Sequence, residues 1–181
     1  DVAYFGYRPT KEGITWIPAG HNVTFLMASR SYLRRNGTPQ NVQELRNHTL
    51  LLRNSSNRSF SRRLENRDAV FEIESDEKVH FEDAYSCRTH LIAGEGISVD
   101  LVPSFVADEL MRGDIVPVLP GWHRRPWEIC VCRRDSDHSP LVSEMADLIV
   151  ENFKKHTVDS WMFWYRYFSI PLESVVLPAV D

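Results

Sequence analysis

The stretch FEDAYSCRTHLIAGEGISVDLVP, residues 81–103, contains a predicted helix followed closely by a predicted strand. Ala84, Cys87 and Leu91 recur at spacings of three and four residues, which places apolar side chains on one face of a helix. Gly94 then supplies the residue type that ends helices in the left-handed conformation. The apolar run 97–102 follows as a strand, and Pro103 opens a further helix. This stretch therefore predicts a helix–strand–helix unit.

Strands and helices alternate on both sides of this unit. The predicted strands are 2–5, 14–17, 23–27, 50–52, 69–73, 97–102, 115–119 and 128–132, and we expect the strand 2–5 to be buried. The predicted helices are 31–35, 38–47, the helix from residue 84, 104–112, and a helix from Pro140 with the apolar stripe Leu141, Met145, Leu148, Ile149 and Phe153. Such alternation indicates an α/β fold with largely parallel sheets.

Composition indicates an ordinary globular domain. The chain has 181 residues, of which 43% are hydrophobic and 25% charged, and its formal net charge is −4. A negative balance argues against binding nucleic acid by charge alone, because neutralising phosphates needs a surplus of Lys and Arg. No apolar run approaches the roughly 20 residues that span a bilayer. The first residues lack the features of a signal peptide, so we expect a cytoplasmic protein without a membrane segment.

The sequence contains no catalytic or metal-binding pattern that we recognise. It lacks a Gly-rich phosphate loop, a Gly-x-Ser-x-Gly elbow and a His-Glu-x-x-His helix. The seven histidines show no ligand spacing among themselves or with the cysteines. We therefore expect no cofactor, no metal and no enzymatic activity. Cys87, Cys130 and Cys132 are interpreted as buried reduced thiols.

Charged residues around two segments allow two interpretations each. The polar segment 54–66 lies among Arg53, Arg58, Arg62, Arg63 and Arg67. It is either a solvated loop and helix or the anion-facing edge of a ligand site. Glu82 and Asp83 lie where the helix of residues 84–93 begins, and stabilisation of the positive helix end explains them without a ligand.

The order of several short motifs resembles the effector domain of LysR-type transcriptional regulators. Residues 81–88 resemble the start of a helix in that family, 93–97 its Ala-Gly-x-Gly-Ile turn, and 101–103 its Leu-Pro ending. The segments 28–33, 37–48 and 113–122, and later the helix after Pro140, follow in the family's order, so that the resemblance covers residues 1–155. Arg30 stands where the family has proline, and Phe81-Glu82 stands where it has Val-Asn.

The resemblance implies an α/β fold of the type 2 periplasmic-binding-protein kind, with two lobes around a cleft and an incomplete first lobe. We expect the first lobe to take residues 1–28 and 122–156, and the second lobe 29–121. The chain would cross between them near 28–30 and 121–122. The aromatic tail, 157–181, matches nothing in the family pattern. We expect residues 160–178 either to fold over the first lobe or to pack against a second chain.

The function that the resemblance implies is sensing of a small-molecule effector in a homo-oligomeric regulator. The helix-turn-helix that binds DNA would lie outside this chain. Because strand ends and helix N-termini converge on the cleft, and arginines flank it, we expect a small anionic metabolite. The positions expected to bind it are Gly6, Tyr7, Arg8, Arg53, Asn54, Ser55, Phe81, Glu82 and Asp83.

Alternatives to these assignments remain at the level of sequence. Tyr7 and Phe81 are also typical of packing residues, and the side chains of Arg8 and Arg53 are also typical of solvated surfaces. A solute-binding protein of similar two-lobed fold is the alternative function, and an enzyme built on that fold is a third.

Overall fold

The computed structural model describes residues 1–53, 63–73, 75, 77–155 and 160–178. Its strands are β1 (Val2–Phe5), β2 (Ile14–Asn22), β3 (Leu26–Ser29), β4 (Leu50–Arg53), β5 (Arg63–Asn66), β6 (Ala69–Glu72), β7 (Lys78–Phe81), β8 (Ile97–Ser98), β9 (Ile115–Val118), β10 (His123–Arg124) and β11 (Trp127–Arg134). Its α-helices are α1 (Arg30–Asn36), α2 (Ala84–Ala93), α3 (Ala107–Arg112), α4 (Pro140–Phe153) and α5 (Ser160–Tyr167). The α/β fold class predicted from the sequence is confirmed. None of the helices in this described part is long and apolar enough to cross a membrane.

The chain divides into two compact units. The first unit contains residues 1–22, 126–163 and 177–181, and the second contains 23–125 and 164–176. The chain leaves the first unit's sheet between Asn22 and Leu26 and returns to it between Arg124 and Trp127. These changes of sheet lie a few residues away from the predicted crossovers at 28–30 and 121–122, because the segment 26–29 pairs as a strand within the second unit. The predicted assignment of residues to lobes stays a prediction.

The first unit contains a three-stranded antiparallel sheet in the order β1-β11-β2, with α4 packed on it. The expectation of a buried strand β1 is wrong, since β1 lies at the sheet edge and Tyr4 is 64% exposed. The predicted stripe of α4 is confirmed only in part. Ile149 and Phe153 pack against the core beside the buried Ala146 and Val150, whereas Leu148 is 61% exposed. The small Ala146 side chain lets the helix approach the sheet, so the bulkier predicted stripe is turned partly away.

The second unit contains a five-stranded sheet in the order β7-β4-β8-β3-β9. Only the pairs of β4 with β7 and with β8 are parallel in this sheet, while β3 runs antiparallel to β8 and β9. The expectation of largely parallel sheets is therefore wrong. Within this sheet, β3 is the strand that runs opposite to the other four, because it pairs antiparallel with both β8 and β9.

Helix α2 forms as the sequence predicts. Asp83 is its N-cap, and Gly94 ends it in the left-handed conformation with φ 77°. Ala84, Cys87 and Leu91 are its buried residues, which confirms the predicted face. The strand after it is shorter than predicted, since only Ile97–Ser98 pairs with neighbours.

The predicted helix 38–47 is a shorter 3-10 helix, Val42–Asn47. Asn41 replaces Thr38 as the N-cap, because its side chain accepts a hydrogen bond from Glu44 N at 3.2 Å. Val42 and Leu45 are buried, as the sequence predicted. The change therefore concerns where the turn begins and not which side chains enter the core.

Most of the described tail packs within the second unit. Residues 164–176 belong to that unit, which differs from the expected packing over the first lobe, and packing against a second chain stays a prediction. Tyr165 is fully buried and donates a hydrogen bond to Thr24 O at 2.9 Å. The carbonyl of Ser174 accepts a hydrogen bond from Arg67 N at 2.7 Å and lies 3.0 Å from Nε2 of the buried His123. These partners are far away in sequence, so periodicity could not reveal them.

Candidate functional site

Two of the predicted site residues meet at the edge of the second unit's sheet. Strands β4 and β7 are parallel neighbours, and their register places Arg53 opposite Phe81. Asp83, two residues after Phe81, is the N-cap residue of α2. Carboxyl ends of parallel strands and helix N-termini are the places where α/β folds bind ligands. The strand pairing thus brings together residues that are far apart in the sequence.

The side chain of Asp83 serves the helix. Its Oδ1 accepts a hydrogen bond from Ser86 N at 2.8 Å, and its Oδ2 accepts one from Ser86 Oγ at 2.7 Å. These hydrogen bonds lower the pKa of Asp83, so the cap is ionised at neutral pH. The geometry matches the structural interpretation of Asp83 as an N-cap.

Asp100 is a residue of this site that the sequence reasoning missed. It is fully buried, and its Oδ1 accepts a hydrogen bond from Arg53 N at 3.2 Å. Its position inside the apolar run 97–102 could have identified it from the sequence, since a charged residue is rarely buried without polar partners. Asp100 thus ties the end of β4 to the segment that follows β8.

The Arg53 guanidinium is the cation of this site. Its Nε is buried and makes no hydrogen bond within the part of the chain that the structure describes. A buried N–H without an acceptor costs free energy, on the order of 1–3 kcal/mol for a neutral group and more for a charged one. An anionic ligand at this position would supply the acceptor.

The remaining predicted residues of the second unit have different surroundings. Phe81 is 8% exposed, and its ring packs 4.7 Å from the His90 ring, centroid to centroid. This contact matches the packing alternative. Glu82 is exposed. Asn54 and Ser55 lie outside the described residues.

In the first unit, Arg8 is held by a carboxylate and an aromatic ring. Its Nε lies 2.6 Å from Glu128 Oε2, and its guanidinium lies 4.5 Å from the centroid of the Trp16 ring. The hydrogen bond from Arg8 lowers the pKa of Glu128, so the pair is ionised at neutral pH. The charge of Arg8 is therefore matched within its own unit. This pairing weakens the argument that Arg8 is there to bind an anion.

The neighbours of Arg8 are packed to different degrees. A Cβ added to Gly6 would lie 3.2 Å from Trp127 Cδ1, so the indole needs the glycine beside it. The Tyr7 ring is 43% exposed and packs 5.3 Å from the ring of Phe5. Both Gly6 and Tyr7 are exposed.

The cysteines are buried and reduced, as the sequence predicted. Burial raises the pKa of Cys87 to about 11, and burial with the nearby Glu128 carboxylate raises that of Cys130 to about 12. Both thiols are therefore protonated at neutral pH and poor nucleophiles. In the described ranges, no group of three or more His, Cys, Asp or Glu residues is arranged to hold a metal ion.

Comparison with known proteins identifies a family for most of the chain. A family model described as LysR substrate binding domain matches residues 1–154. Among curated proteins, none matches the chain.

Solved regulatory domains have the same fold. The CrgA regulatory domain, a LysR-type transcriptional regulator from Neisseria meningitidis, matches with 21% identity and a TM-score of 0.67, over 84% of this chain and 74% of that one. The regulatory domain of AphB in Vibrio vulnificus matches with 18% identity and a TM-score of 0.64, over 84% and 75%.

A full-length regulator shows how much of a longer protein this chain spans. The full-length Vibrio cholerae virulence activator AphB matches with 22% identity and a TM-score of 0.64, over 85% of this chain. The chain covers 52% of that protein, about half of its length.

Proposed function

This chain belongs to the LysR substrate-binding domain family, and from that premise we propose that it senses a small anionic metabolite for a LysR-type transcriptional regulator. The family is one of transcription regulation, so the response to the ligand would be a change in gene expression and not catalysis. In this proposal the regulator acts in the cytoplasm and contacts DNA through a helix-turn-helix domain other than the one described here.

The observation that carries the anionic ligand is the buried Nε of Arg53. Two carboxylates close to Arg53 accept hydrogen bonds from other groups: Asp83 accepts from Ser86, and Asp100 Oδ1 accepts from the backbone N–H of Arg53. A carboxylate on the ligand would take the Nε–H and, with a second oxygen, another N–H of the same planar guanidinium. Such two-point recognition is what favours Arg over Lys at carboxylate sites.

Replacing Arg53 with glutamine should therefore weaken the binding of small carboxylates at least about tenfold, because one charge-assisted hydrogen bond is worth roughly 1.5–3 kcal/mol. The measurement is calorimetric titration of the protein with a panel of small mono- and dicarboxylates, and with amines of the same size. Arg53→Lys should recover only part of the affinity, since lysine keeps the charge without the fork.

Arg63→Gln is the matched control, because Arg63 is exposed on β5 and pairs with Glu72. It should bind the panel as the unchanged protein does. Equal affinity of the Arg53→Gln protein for every carboxylate, or binding of the amines alone, would contradict the proposal.

We also propose that the protein is a homo-oligomer that associates through the exposed apolar face of α4. Leu141 is 67% exposed, Met145 46% and Leu148 61%, and their spacing puts them on adjoining turns of one helix. Contiguous apolar surface of this kind is typical of protein interfaces.

Leu148→Glu should weaken self-association at least about tenfold, since it puts a charge into an apolar contact. Light scattering over a concentration series measures the mass. Asp147→Asn, an exposed change on the same helix but off that apolar stripe, should leave the mass unchanged. A monomer at all concentrations in the unchanged protein, or equal association of both variants, would refute this proposal.

A further inference from the structure

A pocket of about 540 Å³ lies within the second unit, away from Arg53 in the sequence and lined by none of the residues discussed above as effector contacts. One wall is the segment 38–43, which leads into the 3-10 helix. The other is the end of β9 and the turn after it, from Pro117 to Trp122. The volume falls within the range of small-molecule sites, roughly 300–1,000 Å³. The sequence reasoning gave this region no function.

The turn that carries Trp122 is specified by its sequence. Trp122 N donates a hydrogen bond to Leu119 O at 3.1 Å, which closes a turn with Pro120 and Gly121 in the middle. Gly121 has φ 97°, the left-handed value that the third residue of a Pro-Gly type II turn needs. The Trp122 ring also packs edge-on at 6.4 Å from Phe71, centroid to centroid. The indole is therefore positioned before any ligand arrives.

Leu119 adds a strained backbone to the same wall. Its φ is 48°, a left-handed conformation that is unfavourable for a residue with a branched side chain. Strain of this kind costs of order 1–3 kcal/mol and is found most often at ligand sites.

None of the residues that line the pocket is charged. The nearest carboxylate on that wall is Glu44, which accepts hydrogen bonds from Gln40 N at 2.8 Å and Asn41 Nδ2 at 2.7 Å. Gln40 uses its own amide to donate to Thr38 O at 2.8 Å. Gln43, by contrast, is exposed and lines the pocket with a polar amide side chain.

We propose that this pocket is a second ligand site, for an uncharged organic molecule with a flat apolar face and a hydrogen-bonding group at its edge. The flat face would pack against the Trp122 indole and the prolines of both walls, and the polar edge would meet the Gln43 amide. A charged ligand would lose its hydration without gaining an opposite charge. The site goes beyond the proposed carboxylate sensing, because it uses none of the same residues.

Three probes of one shape test the charge preference: benzamide, benzoate and benzamidinium. Binding is followed by ligand-observed NMR and by Trp fluorescence on the whole chain. Benzamide should bind about tenfold more tightly than either ion at this pocket, because neither ion finds an opposite charge there. Arg53→Gln should leave benzamide affinity unchanged and lower only that of benzoate. This difference separates failure of the pocket from failure of the carboxylate site.

Two variants locate the benzamide. Gln43→Glu should weaken benzamide about fivefold and strengthen benzamidinium, since it puts one negative charge at the rim. Asn47→Asp, the same change of charge at the exposed end of the same 3-10 helix, is the control and should alter neither affinity. Trp122→Leu should abolish detectable benzamide binding.

Because Trp122 also packs on the core, its variant is checked by its melting temperature. If the Trp122→Leu protein does not fold, the Gln43→Glu protein alone provides the test. The proposal would be overturned if benzoate or benzamidinium bound the Arg53→Gln protein as tightly as benzamide does. It would also be overturned if neither Gln43→Glu nor Trp122→Leu changed the affinity for benzamide.

Discussion

Replacing Tyr165 with alanine should lower the free energy of unfolding by about 4 kcal/mol, in the range measured for removing large buried side chains. The Tyr165 side chain is fully buried in the second unit, and its ring packs 5.9 Å from Phe25, centroid to centroid. Its hydroxyl donates to Thr24 O at 2.9 Å. The change would leave both a cavity and a buried carbonyl without its donor.

Tyr165→Phe separates these two contributions. It keeps the ring and removes only the donor, so we expect a loss of about 1–2 kcal/mol. Burial raises the pKa of the Tyr165 hydroxyl, so the group remains a protonated donor at neutral and mildly basic pH.

Urea denaturation followed by circular dichroism gives the free energies. Tyr167→Ala is the matched control, because that side chain lies on the same helix and is 48% exposed. Its loss should be below about 1 kcal/mol. Equal and small losses for Tyr165→Ala and Tyr167→Ala would show that the tail does not contribute to the stability of the second unit.

Gly96→Ala should destabilise the protein by about 3 kcal/mol, the upper part of the range for forcing extra atoms into a packed core. A Cβ at this position would lie 2.7 Å from Thr49 O and 2.9 Å from Leu51 Cδ2. The backbone carbonyl cannot move away cheaply, because it accepts the hydrogen bond of Ile97 N at 2.9 Å. The methyl group would thus push β8 away from β4.

Gly13→Ala is the comparison that isolates this contact. Gly13 has φ 79°, but a Cβ there would meet nothing within 4 Å. We therefore expect only the cost of a positive φ, roughly 1 kcal/mol. Melting temperature and urea denaturation rank the two proteins. A Gly96→Ala protein as stable as Gly13→Ala would mean that β4 and β8 are less tightly paired than the structure shows.

The parts of the fold that depend on near neighbours were predictable. Asp83, Gly94 and the buried Ala84, Cys87 and Leu91 define α2, and all of these relations extend over a few residues. The same holds for the Pro120-Gly121 turn, whose conformation follows from the two residue types. Local preferences act on each such segment whatever surrounds it.

The candidate site was predictable in part. Arg53 and Phe81 were chosen because strand ends and helix starts converge in α/β folds, and the register of β4 and β7 places them side by side. The partners of the charged residues were not predictable. Glu128 lies 120 residues from Arg8 in sequence, and Asp100 lies 47 residues from Arg53.

By itself, then, the sequence determined the α/β class, the family and the limits of α2, because these follow from motif order and from spacings within a turn or two of helix. The tertiary structure decided which face of α4 is buried, which strands run antiparallel and that Tyr165 packs beside Thr24. Each of these depends on the fit between surfaces distant in the chain. Ala146 is buried and Leu148 is exposed because a small side chain allows a closer helix–sheet contact. Hydrophobicity alone would predict that Leu148 is the buried residue.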